Sequence, residues 1–245
     1  REGLSGLEEF ASRKAHQPVV NIVGDHATSH AKYVQAPLTS DIMAICGSVS
    51  DWAHHCRGVA DVAADGARAV QAAIPGQIAT LVLPADAAWS EGAAPTPRLP
   101  VAAAKTVEPA MIEQVAAALK NGKRSALLLR GRCLQRAGLE AAGRIATQTG
   151  ARLLHDYFTP RMTRGEGLPE VERIPYFSEL IVEVLKGLEQ IVLVGAPAPV
   201  SFFAYPDKPS WMTPEGCDLL TLAEPQEDTV GALQALAEAL GARGA

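Results

Sequence analysis

Aromatic side chains make up only 5% of this 245-residue sequence, so a core must be assembled mainly from Ala, Val, Leu and Ile. An excess of basic charge is missing too. The 22 Lys and Arg are outnumbered by 27 Asp and Glu, for a net charge of −5. That balance argues against nucleic acid and against an anionic membrane surface as partners. No apolar run approaches the roughly 20 residues of a membrane-spanning helix, and the first residues show no basic-plus-apolar signal pattern. Cysteine is sparse: Cys46, Cys56, Cys133 and Cys217 form no CxxC pair. Idle thiols of a reduced, cytoplasmic protein are therefore expected rather than a disulfide or zinc framework. The sequence has no GxSxG elbow, no Walker A loop and no GxGxxG. The main signatures of serine hydrolases, P-loop NTPases and dinucleotide-binding turns are thus absent.

What is present is alternation. Leu4, Leu7, Phe10 and Ala11 predict a helix over 3–16, stopped by Pro18. Val19-Val20-Asn21-Ile22-Val23-Gly24 reads as a buried strand ending in a glycine turn. Residues 39–46 predict a short helix capped by Thr39 or Ser40. Residues 59–73 form an Ala/Val helix ended by Pro75-Gly76, and Ile78-Ala79-Thr80-Leu81-Val82-Leu83 is a second buried strand. Two strands buried on both faces need neighbours on each side, so the expectation is that the sequence begins inside a domain. Pro95, Pro97 and Pro100 then fall within six positions, which neither a helix nor a central strand can absorb. An extended connector is expected there. Alternation resumes with a helix over 109–120, strand 125–129, helix 135–149 closed by Gly150, strand 152–154 and a polar loop over 156–173. Helix 175–187, strand 190–195, a proline-rich loop, strand 218–222 and helix 227–241 complete the chain. The fold class that follows is α/β, with two doubly wound parallel-sheet units in series.

Several candidate motifs fail on spacing. His26 and His30 stand at i, i+4, but no HExxH frame or third ligand accompanies them. His54-His55-Cys56 is a weaker metal candidate, because adjacent residues diverge on any regular element. Glu8-Glu9 and Glu227-Asp228 are explained as solvated charge at helix surfaces or starts.

Pro18-Val19-Val20-Asn21-Ile22-Val23-Gly24-Asp25-His26-Ala27-Thr28, followed by Ala36-Pro37-Leu38-Thr39-Ser40-Asp41-Ile42, resembles the acetolactate synthase-like, thiamine-diphosphate-dependent enzymes. The likeness lies in the second half of their pyrimidine-binding domain. It continues through Pro75-Gly76-Gln77 and Leu83-Pro84-Ala85-Asp86. In the second unit it rests on Arg161, Arg164-Gly165, Ile174-Pro175-Tyr176-Phe177 and the run from Val194 to Pro206. The resemblance implies the second half of a pyrimidine-binding domain over 1–89, a linker over 90–108, and a Rossmann-like central domain over 109–245.

It further implies thiamine diphosphate and Mg²⁺ as cofactors of the parent protein, a small-molecule 2-oxoacid substrate, and a homodimeric or homotetrameric parent. The family's proton-relay glutamate is expected upstream of Arg1, and its Gly-Asp-Gly…Asn metal stretch beyond Ala245. No catalytic and no metal-ligating residue is therefore expected in this chain, which should be inactive alone. Neither Asn21 nor Asn121 follows Gly24-Asp25 at a suitable distance to complete a metal motif. Gly24, Asp25 and His26 are instead expected beside the cofactor, and Pro37, Leu38 and Thr39 in the substrate loop. Acetolactate synthases carry Phe-Gln where this sequence has Pro37-Leu38, a departure that argues against acetolactate synthesis itself and leaves the oxoacid open. Their flavin-binding glycine turn is replaced here by Leu129-Arg130-Gly131-Arg132, which argues against FAD. The rival readings are a non-catalytic nucleotide- or flavin-binding module and a ligand-free structural remnant. Phe202-Phe203-Ala204-Tyr205 is expected to pack between domains.

Overall fold

The computed structural model describes residues 12–33 and 39–243, and the chain divides into two compact units between Ala103 and Ala104. Most of the helix expected over 3–16 lies outside the described residues; 12–14 are helical.

The first unit contains β1 (Val19–Asp25), α1 (Thr28–Ala31), α2 (Ile42–Val49), β2 (Trp52–His55), α3 (Val62–Ala73), β3 (Ile78–Pro84) and α4 (Ala85–Trp89). Its sheet has the order β1-β3-β2 with both pairings parallel. The central strand β3 buries Ile78, Ala79, Thr80, Leu81 and Val82, as its apolar run requires. Against one face lies α3, whose Ala69 and Ala73 join Cys56, Ala79 and Leu81 in a small core. Alanines at this contact let the helix backbone approach the sheet closely. The helix stops before Pro75-Gly76, where Gly76 takes φ +96° and an added Cβ would meet the His16 carbonyl oxygen at 2.7 Å. Glycine is needed there for both reasons.

Three expectations change. β1 is not buried on both faces: Val20 is 39% and Ile22 68% exposed, because β1 is hydrogen-bonded on its β3 side and alternate side chains point outward. Strand β2 was not anticipated. Its four residues make no apolar run, and the pairing with β3 supplies what the pattern lacks. Helix α2 begins at Ile42 with Asp41 as its cap, the carboxylate accepting the Ala44 N–H at 3.0 Å. A carboxylate satisfies that donor and also complements the helix dipole, which a hydroxyl at 39 or 40 cannot match.

Residues 90–104 hold no helix or strand, consistent with their prolines. The connector is tied to α3 where Gln71 Nε2 donates to the Pro100 carbonyl at 2.5 Å.

The second unit contains α5 (Pro109–Leu119), β4 (Ser125–Leu129), α6 (Arg136–Thr149), β5 (Arg152–His155), β6 (Glu172–Arg173), α7 (Ser178–Leu185), β7 (Gln190–Val194), β8 (Asp218–Ala223) and α8 (Thr229–Ala239). All strands are parallel in the order β6-β5-β4-β7-β8, a doubly wound arrangement. Side chains alternate between faces. Leu127, Leu129, Leu153, Val192 and Val194 pack under α5, α6 and α8. Ala126, Leu128, Leu154, Ile191 and Leu193 pack against Ile181 and Leu185 of α7 and Met212 of the loop after β7. Two-sided covering explains why β4 and β7 read as unbroken apolar runs. Helix α7 is shorter than the expected 175–187: it starts after Pro175 and ends before Gly187, which takes φ +79°.

Candidate functional site

At the carboxyl end of β1, where parallel sheets receive ligands, lies a cleft of about 650 Å³ lined by Gly24, Asp25, His26, Ser29, Ser40 and Trp89 among others. All three residues expected beside the cofactor therefore border one cavity. Packing does not demand glycine at position 24, because an added Cβ would meet nothing within 4 Å. Its effect is to leave that part of the cleft wall open. Asp25 is held on both oxygens: Oδ1 accepts the His26 backbone N–H at 2.7 Å, and Oδ2 lies 2.8 Å from His55 Nε2. The hydrogen bond from His55 is the chief reason its carboxyl sits below the ordinary range. Partial burial opposes the shift, and the His26 N–H reinforces it.

The cleft's second wall is stitched to the first. Thr28 N–H donates to Asp86 Oδ1 at 3.0 Å, and the Thr28 hydroxyl donates to the other oxygen. This joins the start of α1 to α4 and fixes the loop that carries His26. The rings of His26 and His30 lie 5.7 Å apart. Among the described residues no three His, Cys, Asp or Glu side chains converge on a point that could hold a metal ion. Of the expected substrate loop, Pro37 and Leu38 fall outside the described residues. Thr39 is exposed and does not line the cleft, although its neighbour Ser40 does.

His55 is the residue that sequence reasoning missed. Adjacent histidines do diverge on β2, as expected, but each finds its own carboxylate. His55 reaches Asp25 on one face. His54 Nε2 lies 3.2 Å from Asp65 Oδ2 on the other. Asp65, 1% exposed on α3, is also bound by Arg68. Burial alone would raise its carboxyl, but Arg68, Cys56 and His54 together outweigh that and hold it below the ordinary range. Burial in turn pushes the Cys56 thiol up, which marks it as a packing residue rather than a nucleophile.

The carboxyl edge of the second sheet carries different chemistry. Arg130, directly after β4, pairs with Asp156 after β5 at 3.2 Å, their side chains 6% and 13% exposed. Burial pushes the Asp156 carboxyl above the usual range, with Arg130 as the main opposing influence. Burial lowers His155. Nearby, Tyr157, Phe158, Tyr176, Phe177, Phe202 and Phe203 form a connected run of ring contacts on loops at this edge.

No protein-family model matches the chain. The acetolactate synthase large-subunit-like protein IlvX of Mycobacterium tuberculosis is 46% identical over 237 residues, covering 96% of this chain and 45% of that protein. Among solved structures, one assigned as a thiamin diphosphate-dependent enzyme from Mycobacterium smegmatis matches with TM-score 0.75 at 22% identity, over 99% of this chain and 49% of its own. The thiamine diphosphate-dependent 4-hydroxybenzoylformate decarboxylase of Rhodococcus jostii RHA1 matches with TM-score 0.69 at 18% identity, over 93% of this chain and 46% of its own. At these identities the structural likeness establishes the fold. The chain spans about half the length of the proteins it matches.

Proposed function

We propose that this chain, which over 96% of its length is 46% identical to an acetolactate synthase large-subunit-like protein, forms one wall of a thiamine-diphosphate-dependent active site acting on a 2-oxoacid. The observation that carries this reading is the cleft at the end of β1, bordered by Gly24, Asp25 and His26 within the stretch that bears the resemblance. When bound, the cofactor supplies an electron sink for breaking or forming the bond next to the oxoacid carbonyl. The residues of this chain orient rather than react. Gly24 leaves the wall open, the Asp25 carboxylate is fixed by His55 and the His26 N–H, and the Thr28–Asp86 link holds the loop that carries His26.

No metal-holding cluster exists among the described residues, so no step is routed through a cation here. We assign the diphosphate end and its magnesium to a second contributor, another chain or another segment, as well as the glutamate that protonates the aminopyrimidine. In this reading the chain does not turn over alone, and the parent protein is a homodimer or homotetramer. Its four cysteines are free thiols, which fits the cytoplasm. No helix among the described residues is long and apolar enough to cross a membrane.

The test is calorimetric titration of thiamine diphosphate with Mg²⁺ into the 245-residue chain, then into the chain mixed with the remaining segments of the Mycobacterium tuberculosis relative. Alone, the chain should bind more weakly than roughly 100 μM, a scale of about −5.5 kcal/mol. The mixture should bind more tightly and release CO₂ from a 2-oxoacid. Micromolar binding by the chain alone would overturn the two-contributor account. A mixture that neither binds the cofactor nor consumes any 2-oxoacid would overturn the class.

A further inference from the structure

We infer that the second unit is closed to dinucleotides, because the crevice between the ends of β4 and β7 is filled by its own Arg130, Cys133 and Leu134. The strand order β6-β5-β4-β7-β8 places the topological switch point between β4 and β7. A doubly wound sheet receives a nucleotide there, with the diphosphate on a glycine-rich turn and at the amino end of the following helix. Each part of that receptor is occupied.

The turn comes first. Gly131 takes φ +70° and starts a 3₁₀ turn over Gly131–Leu134, whose Cys133 and Leu134 are fully buried. The Cys133 thiol donates to the Arg130 carbonyl at 2.9 Å and lies 3.5 Å from the Val194 carbonyl. It therefore spans the ends of β4 and β7. The same two ends are joined by the Arg130 N–H, which donates to the Val194 carbonyl at 3.1 Å. Gly195 sits so close that an added Cβ would lie 3.0 Å from the Arg130 carbonyl oxygen. The first residues after β4 and β7 therefore stay in contact at the switch point. Burial pushes the Cys133 thiol up to about 12, so it stays protonated as a donor near neutral pH.

The helix end comes next. A Cβ at Gly138, in the first turn of α6, would lie 2.6 Å from the Cys133 Cα and 2.7 Å from its carbonyl carbon. The 3₁₀ turn is thus pressed onto the amino end of α6, in the space a diphosphate needs. The cation comes last. The Arg130 guanidinium is already paired through Nε with the buried Asp156 carboxylate, which offsets its charge toward a phosphate, and separating the two would be costly. The guanidinium takes the place of a ligand instead of receiving one.

This inference rests on the second unit alone and stands or falls independently of the thiamine diphosphate reading. The experiment titrates FAD, and separately ADP, into the 245-residue chain, following flavin fluorescence and heat. A cooperative urea transition on the same sample establishes that it is folded. Dissociation constants weaker than roughly 100 μM for both ligands are expected. A tighter constant for either, or flavin that copurifies with the chain, would overturn the inference. Thiol labelling gives a second readout. Cys133 should resist labelling until the chain unfolds, whereas labelling in the native state at the rate of the more exposed Cys217 would show the crevice open.

Discussion

Replacing Arg130 with alanine should destabilise the second unit by roughly 3–5 kcal/mol, the usual cost of removing one partner of a buried ion pair. The expected size follows from what stays behind. Asp156 is 13% exposed and already above the ordinary carboxylate range because burial outweighs the pairing. Without the guanidinium it is a desolvated charge with less compensation. Hydrogen exchange at the β4 and β7 amides, combined with urea unfolding, measures the loss in this unit specifically. Its pH dependence has a fixed sign. A carboxyl whose folded value is raised costs stability once the pH exceeds the unfolded value near 3.8, and that cost is complete above the folded value. Acidification through this window protonates Asp156 and removes the need for a counter-charge. The deficit of Arg130→Ala should therefore shrink from pH 7 toward pH 4, and an undiminished deficit would show that lost packing, not charge, sets it.

Asp65→Ala should cost the first unit about 3 kcal/mol. Two charge-assisted contacts at about 1.5–3 kcal/mol each would give more, but Arg68 and His54 are 51% and 30% exposed and can rehydrate. Trp52, on the same strand as His54, reports the change by fluorescence during unfolding. Here the folded carboxyl lies below the unfolded one. Its contribution is complete above about pH 3.8 and lost as the pH falls through the lower folded value. Wild type and variant should converge in acid for this reason. A gap that persists below that window would mean that Asp65 acts through shape alone.

The two aspartates titrate in opposite directions because their surroundings differ. Asp65 meets the Arg68 guanidinium, the His54 ring and a thiol on or beside one helix. Asp156 has one guanidinium as its main compensation. Both are buried acids next to an arginine, and nothing in the local residue pattern tells them apart.

Four strands of the second sheet were legible from sequence, above all β4 and β7, because covering on both faces leaves an apolar run that needs no partner to be recognised; the exposed edge strand β6 fell within the loop expected over 156–173. The connector was legible from prolines that no regular element accepts. Gly24, Asp25 and His26 were singled out through a resemblance in one contiguous stretch, and they border one cleft. Strand β2 was not legible, since four residues without an apolar run become a strand only beside β3. His55 was missed with it, because its partner Asp25 stands 30 residues away. Arg130 was read as a misfit for flavin, but its closeness to Asp156 belongs to the register of β4 against β5.

The sequence by itself determined the α/β class, the place of the connector and most strands and helices, because apolar periodicity and proline act over a few residues. Only the tertiary structure decided which charges meet, that β1 keeps an open face, and that the second crevice is closed by its own side chains. Those outcomes depend on strand order and register, which bring together groups that no local pattern connects.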